Sequence, residues 1–564
     1  MYRVHAGSSI KMWGLALALG VAAAPAAAQS VTLGDPAGNP GPVRVVQDSK
    51  HDLSLPLRDM PYMAPGPRRP LETEWNRWPG GTESGTDEAL QTWLPDGPAA
   101  MPSPLLQFEG ISEATGGCNC TPPDTNADVG PRHVLEMVNS ALQVFDRTGA
   151  SLFGPVNINM IWSGFGGACQ NENAGDPVVV YDQLADRWVI SQFTDVTSPY
   201  FECIAVSQTG DPTGAWYRYA FQTSTTKFND YPKLGVWPDG YYMSANLFIL
   251  PNTWAGTGAY AFDRAKMLQG LAATMQLFEL PPSDWGGLLP SDLDGSTPPP
   301  AGAANVFVEV VDGAWDPPNW PNDELHFHHF DVDWTTPANT TFNAAPIQLA
   351  VAGFDGLLCG FSSCVPQLAP GVLLDTLSDR LMFRLGYRNF GTHESLVVNH
   401  TVDAATNQSA IRWYEIRNPR GNPPTLFQQS TFAPDTTHRW MGSVAMDSQG
   451  NMAVGYTASS AAQKPDIRYT GRLAADPVNT LPQGEIVLIT SINSQTGASR
   501  WGDYSDLTLD PADDCTFWHA NEYANGSAFA WRTRIGAFRF PSCNTIFKDG
   551  FEVGSTGVWS SQTP

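Results

Sequence analysis

Six aspartates stand at the starts of short segments rich in β-branched and aromatic residues: Asp124, Asp176, Asp230, Asp294, Asp379 and Asp503. Carboxylates gathered at one opening would raise one another's pKa or hold a hard cation such as Ca2+. A pair at suitable separation would serve as acid and nucleophile on a glycosidic bond. Asp176, Asp230 and Asp503 are the expected catalytic groups, acting as acid, base or nucleophile. The competing role is structural, since Asp at the start of a strand caps turns and a repeated chain reuses its turn chemistry in every unit.

A second group is cationic. Residues 380–472 hold nine Arg and one Lys against six acidic residues, in a chain whose net charge is −25. Guanidinium forks bind carboxylate or sulfate. Arg388, Arg439, Arg468 and Arg500, with His393, are therefore the expected ligand-binding set for an acidic sugar. The alternative is that each Arg pairs with a nearby Asp or stacks on an aromatic ring, as Arg412-Trp413, Arg439-Trp440 and Arg500-Trp501 suggest. His326 and His328 fall on one face of a strand, but two ligands without a clear third define no metal, and the metal stays unknown. No nucleophile elbow, P-loop, dinucleotide fingerprint or H-E-x-x-H occurs.

The elements that would position these groups recur. Asp176-Pro-Val-Val-Val-Tyr-Asp leads into Arg187-Trp-Val-Ile-Ser, and Asp230-Tyr-Pro-Lys-Leu-Gly-Val-Trp into Tyr241-Tyr-Met-Ser. Arg439-Trp-Met-Gly-Ser-Val-Ala-Met-Asp leads into Asn451-Met-Ala-Val-Gly-Tyr, and Asp503-Tyr-Ser-Asp-Leu-Thr-Leu-Asp into Thr516-Phe-Trp-His-Ala. All-strand repeats of this period predict radial sheets, so the expected fold is all-β, a seven-bladed β-propeller. Its blades would start at Asp124, Asp176, Asp230, Asp292 or Asp294, Asp379, near Trp440, and at Asp503. The last unit lacks an obvious fourth strand, and the N-terminal segment is expected to supply one and close the ring.

Composition bounds the function. Only 15% of the 564 residues are charged, while Gly and Pro number 52 and 47. That balance fits an all-β exported protein. The acidic charge excludes nucleic acid as a partner. Arg3, Lys11, an apolar run from Trp13 to Ala24 and Ala26-Ala27-Ala28 read as a signal peptide over 1–28, leaving no integral membrane segment after its removal. An irregular segment follows over 29–117, the propeller over 118–543 and a tail motif over 544–564. Eight Cys in such a chain predict disulfides, with Cys169 near Cys203, Cys359 near Cys364 and Cys515 near Cys543. The Cys118-Asn-Cys120 pair leaves its partners open.

Pro122-Pro-Asp-Thr-Asn-Ala-Asp-Val-Gly130, Asp230 to Tyr241, His438-Arg-Trp-Met-Gly-Ser443 and Ile467-Arg-Tyr-Thr-Gly-Arg472 resemble a family of exported bacterial β-propeller proteins. The tail Asp549-Gly-Phe-Glu-Val-Gly554 with Trp559-Ser560 is similar to a short terminus of exported bacterial proteins. More distantly, the architecture is similar to sialidase-like propellers. The resemblance implies a secreted or cell-surface location and brings no catalytic residues with it. The expected function is therefore a secreted propeller acting on or binding extracellular glycans, with an acidic polysaccharide hydrolase or lyase as the enzymatic form. The alternative is a non-catalytic ligand-binding or adhesion propeller directed at another surface ligand. Ca2+ is the cofactor such a carboxylate ring would take.

Overall fold

The computed structural model describes residues 41–61, 85–94, 100–117, 120–194, 196–343, 345–526 and 528–543. The expected signal peptide, Cys118 and the tail motif lie outside the described residues.

The described chain folds into antiparallel meanders whose first strands lie side by side. These inner strands are Asn126–Val129, Val178–Asp182, Phe228–Val236, Leu289–Asp294, Leu381–Asn389, His438–Met446 and Asp506–Leu509. Each packs against the next, and the last packs against the first. The fold is a β-propeller. Because every inner strand runs in the same sense, the ring has a rim where the strands begin and a far rim where they end.

Inner strands are covered on both faces, so their runs need not alternate; Val178-Val-Val-Tyr-Asp is buried throughout. Apolar faces of neighbouring blades close on each other. Val178, Val180, Val189 and Ile204 of blade two pack with Leu234, Tyr241 and Met243 of blade three.

Adjacent inner strands diverge, and side chains supply hydrogen bonds that backbone pairing cannot. The Tyr181 N–H donates to Asp128 at 2.6 Å, the Val236 N–H to Asp292 at 2.9 Å and the Leu507 N–H to Ser443 at 3.0 Å. Each bond joins one blade to the next.

The blade-opening turns share a backbone device. Asp124, Asp176, Tyr231, Leu377 and Met441 all sit in the left-handed region, with φ of 48°, 50°, 54°, 42° and 51°. Asp tolerates this; for Tyr, Leu and Met it is strained. Its recurrence around the ring marks it as part of the repeated turn rather than a feature of one blade.

The segment before the first blade is less irregular than its composition suggests. It supplies β1 (Arg44–Gln47), β2 (Lys50–Leu53), β3 (Leu90–Gln91) and β4 (Leu106–Ser112). β1 extends the outer edge of blade three, β2 that of blade two and β3 that of blade five. β4 pairs antiparallel with Trp531–Arg539 and completes blade seven, tying the chain's beginning to its end.

Blade four departs from the predicted placement. Its inner strand begins at Leu289, so Asp292 and Asp294 lie inside and at the end of that strand rather than at its start. After Pro290 the strand leaves its own blade and pairs in parallel with Ser291↔Leu385 through Asp294↔Arg388 of blade five. Two aspartates can occupy a buried strand because Arg384 of blade five faces both.

Three disulfides join Cys169 to Cys203, Cys359 to Cys364 and Cys515 to Cys543. Cys120 is also disulfide-bonded. Among the described residues, no helix is long and apolar enough to cross a membrane.

Candidate functional site

The blade-opening rim gathers acidic groups from four blades. Asp124, Asp176, Asp230 and Asp503 lie close enough for their charges to act on one another. Asp379, from blade five, acts electrostatically on Tyr231 in the same place. Asp294 does not join them: it sits at the far end of its strand.

Much of this rim is tied down. Asp124 accepts the Asp503 N–H at 2.9 Å and an Asn139 amide hydrogen at 2.9 Å. Asp176 accepts the Tyr231 N–H at 3.1 Å, while its own N–H donates to Asn139 at 2.8 Å. These bonds tie blade one to blades two and seven, and blade two to blade three. Arg500 donates to Asp503 at 2.7 Å and to Asp375 at 3.3 Å, and Arg380 takes Asp379 in a fork at 2.8 and 3.1 Å.

Asp230 differs. It is half-buried, and its carboxylate makes no hydrogen bond among the described residues. Burial, with the charges of Asp176 and Asp503, holds its carboxyl well above the usual carboxylate range, although Arg380 and Lys233 pull the other way. A carboxyl whose proton is held more tightly than usual, beside a carboxylate paired with Arg, has the chemistry a proton donor would need.

The axis beneath the rim is filled. Lys233 is fully buried, with its ammonium 3.4 Å from the Tyr231 ring centre and 3.9 Å from that of Tyr504. It donates to the Pro232 carbonyl at 3.0 Å. Burial pushes its pKa down to about 8 against the pull of Asp176, Asp124 and Asp503. The Tyr231 hydroxyl reaches the Asp503 carbonyl at 3.3 Å, and the Tyr504 hydroxyl reaches the Pro177 carbonyl at 3.0 Å. Two rings thus brace non-adjacent blades around one ammonium. Neither Lys233 nor these rings was singled out from the sequence. The available signal was a lysine inside an apolar strand of a chain with seven lysines.

A second carboxylate layer lies further along the strands, where Asp128, Asp292, Asp294 and Asp506 surround Arg384. Burial raises Asp128 to about 6 and Asp292 to about 7. Glu136, buried between blade one and β4, is raised to about 7. For all three the folded state holds protons that the unfolded chain releases near pH 4. Their contribution is therefore full below that pH and is lost as pH rises through 6 to 7. Unfolding midpoints measured from pH 5 to pH 8 should fall, and Glu136→Gln should flatten the slope.

The arginines grouped from the sequence do not converge. Arg500 is on the rim. Arg388 is near the far end of its strand, donating to Asp514 at 3.1 Å and to the Met446 carbonyl at 2.9 Å. His393 sits in the hairpin after that strand, stacked on Phe390 at 4.8 Å. Arg439 and Arg468 meet on blade six, where they share Glu485 at 2.8 and 3.6 Å and also pair with Asp435 and Asp466. The positive run is local in sequence, but successive strands of a blade carry its members outward from the axis. Their pairing with blade carboxylates follows the structural alternative. Glu485→Gln should destabilise the protein by about 3–5 kcal/mol in chemical denaturation, because Arg439 is wholly buried and would lose its main partner.

No family model matches the chain, and no curated protein matches it. Among solved structures, it is similar to a Hadza microbial sialidase (11% identity, 73% of this chain and 74% of that one, TM-score 0.33). It is also similar to an ulvan lyase of polysaccharide lyase family 25 (9% identity, 80% and 97% covered, TM-score 0.34) and to a chain of Drosophila Plexin A in complex with Semaphorin 1b (7% identity, 78% and 88% covered, TM-score 0.35). A sialidase, a lyase and a plexin–semaphorin complex stand together here. Likeness at this level assigns no activity, and the resemblance to exported bacterial proteins gains no support from it.

Proposed function

We propose that this chain is an exported, glycan-directed propeller whose ligand meets the blade-opening rim at Asp230. The observation that supports this reading is the contrast among the rim carboxylates. Asp124 and Asp176 are occupied by neighbouring blades and Asp503 by Arg500, whereas Asp230 is half-buried, makes no side-chain hydrogen bond among the described residues and has its carboxyl held well above the usual range. In the enzymatic form Asp230 donates the proton to the leaving oxygen, and Asp503, held by Arg500 at 2.7 Å, supports the developing charge or attacks. Asp176 contributes by raising the pKa of Asp230. Because the guanidinium groups already hold carboxylates, the geometry favours a neutral sugar over an acidic polysaccharide, and a Ca2+ ion at the rim would compete with Lys233. The test is release of reducing ends or unsaturated products from a polysaccharide panel. Asp230→Asn should lower turnover by about 10^2–10^4-fold with ligand retention unchanged. Equal turnover in the variant would remove Asp230 from the chemistry.

A groove supports the non-catalytic alternative. A cavity of about 480 Å3 beside β3 is lined by Trp93, Phe427, Gln428, Asn479 and Thr480. Trp93 and Phe427 are 45% and 37% exposed. Exposed rings beside amides form a platform for a sugar face. Retention on a glycan array that is lost in Trp93→Ala, kept in Asp230→Asn and unaccompanied by turnover would favour this groove.

A further inference from the structure

Blade four holds a polar group that the rim reading does not use. Glu309, on the strand Asn305–Val311, stands opposite His326 on Glu324–Asp331, and His328 shares that face two residues on. Asp284, in the connection from blade three, approaches them from outside the blade. One donor atom each from Asp284, Glu309 and His328 lies within 4.8 Å of the others. His328 and Glu309 are 1% and 2% exposed.

Among the described residues, two buried atoms here lack hydrogen-bond partners. His328 Nδ1 faces the Asn343 carbonyl at 3.0 Å and must donate to it, which leaves the lone pair on Nε2. That Nε2 has no hydrogen-bond partner; Glu309 Oε1 is 4.0 Å away. Glu309 Oε2 has none either. The rest of the group is held from outside. His326 Nδ1 approaches Glu309 Oε1 at 3.4 Å while its Nε2 faces Glu324 at 3.1 Å. Asp284 accepts the Thr257 hydroxyl and the Gly286 N–H.

We propose that Asp284, Glu309 and His328 bind a divalent first-row transition ion of the zinc class, with water completing the coordination. One imidazole and two carboxylates form a nitrogen–oxygen donor set suited to such an ion. Ca2+ and Mg2+ prefer all-oxygen sites, and softer ions prefer thiolate. The Asn343 carbonyl and His326 are the outer partners that fix ring tautomer and carboxylate orientation. Ligands 2.0–2.1 Å from a tetrahedral ion stand about 3.4 Å apart, so the three groups draw slightly inward on binding. The ion ties the incoming connection to two strands of the propeller's least regular blade, a role independent of the rim.

The test uses the full chain stripped with chelator and titrated with Zn2+ or Co2+. One equivalent of Zn2+ should raise the unfolding temperature by several degrees, with no comparable shift from Mg2+ or Ca2+ at the same concentration. Co2+ should give visible absorption bands. Asp284→Asn changes a half-buried loop residue and should fold; it should weaken Zn2+ binding at least tenfold and diminish the bands. His328→Gln should abolish both. Absence of shift and bands in the unaltered chain, or unchanged stoichiometry and spectra in Asp284→Asn, would overturn the site.

Discussion

Deleting Leu106–Ser112 is expected to leave the chain without a single cooperative unfolding transition. β4 is the fourth strand of blade seven, paired from Leu106↔Ala537 to Ser112↔Arg532. It also meets blade one, where the Ile111 N–H donates to Glu136 at 2.9 Å, and within blade seven the Thr533 hydroxyl donates to the Ile111 carbonyl at 3.1 Å. Removing it opens the edge of Trp531–Arg539 and strips buried Glu136 of a donor. Ring closure lets the sheets unfold as one body, so the loss should exceed the sum of the lost bonds. Gly110→Ala is the graded form, because a Cβ there would lie 2.3 Å from Thr533 Oγ1 and 2.5 Å from the Glu136 carboxylate. That variant should cost about 1–3 kcal/mol through overpacking. Proteolysis and denaturant unfolding read both outcomes. A truncated chain with the original midpoint and slope would show that the ring does not depend on this strand.

Replacing Lys233 with Met is expected to cost about 3–5 kcal/mol at pH 7, the range for removing one partner of a buried charge network. Met keeps the volume between Tyr231 and Tyr504, so the loss reports charge rather than a cavity. Asp176, Asp124 and Asp503 would lose the ammonium that opposes their mutual repulsion. The deficit should shrink at pH 5, where Asp124, whose carboxyl burial holds well above the usual range, carries less charge. The unaltered lysine has its own signature. Its folded pKa, about 8, lies below the ordinary 10.5. Between those values the unfolded chain binds the extra proton, so this group's contribution to stability rises with pH across that window. Denaturant midpoints at pH 5 and 7 check the first claim. An equal deficit at both would mean that Lys233 acts by packing alone.

The repeated Asp-plus-strand pattern made the propeller legible because inner strands are short, buried on both faces and opened by the same turn. It also correctly grouped Asp124, Asp176, Asp230, Asp379 and Asp503 on one rim. Asp294 went astray because Ser291-Asp-Leu-Asp294 looks like a turn unless a buried guanidinium arrives from the next blade, and Arg384 is about 90 residues later in the chain. The arginines went astray for a related reason. A local excess of positive charge says nothing about radial position, and Arg439 and Arg388 belong to opposite rims.

What the chain alone determined was the class of sheet, the recurring turn and the need for an N-terminal strand to finish blade seven, since these follow from local pattern and from the missing strand in the last repeat. What only the tertiary structure decided was which carboxylates are consumed in tying blades together and which remain reachable. That choice depends on donors such as Asn139, Arg500 and the Tyr231 N–H. Some of these belong to other blades, and the distances that set their strength exist only once the ring has closed.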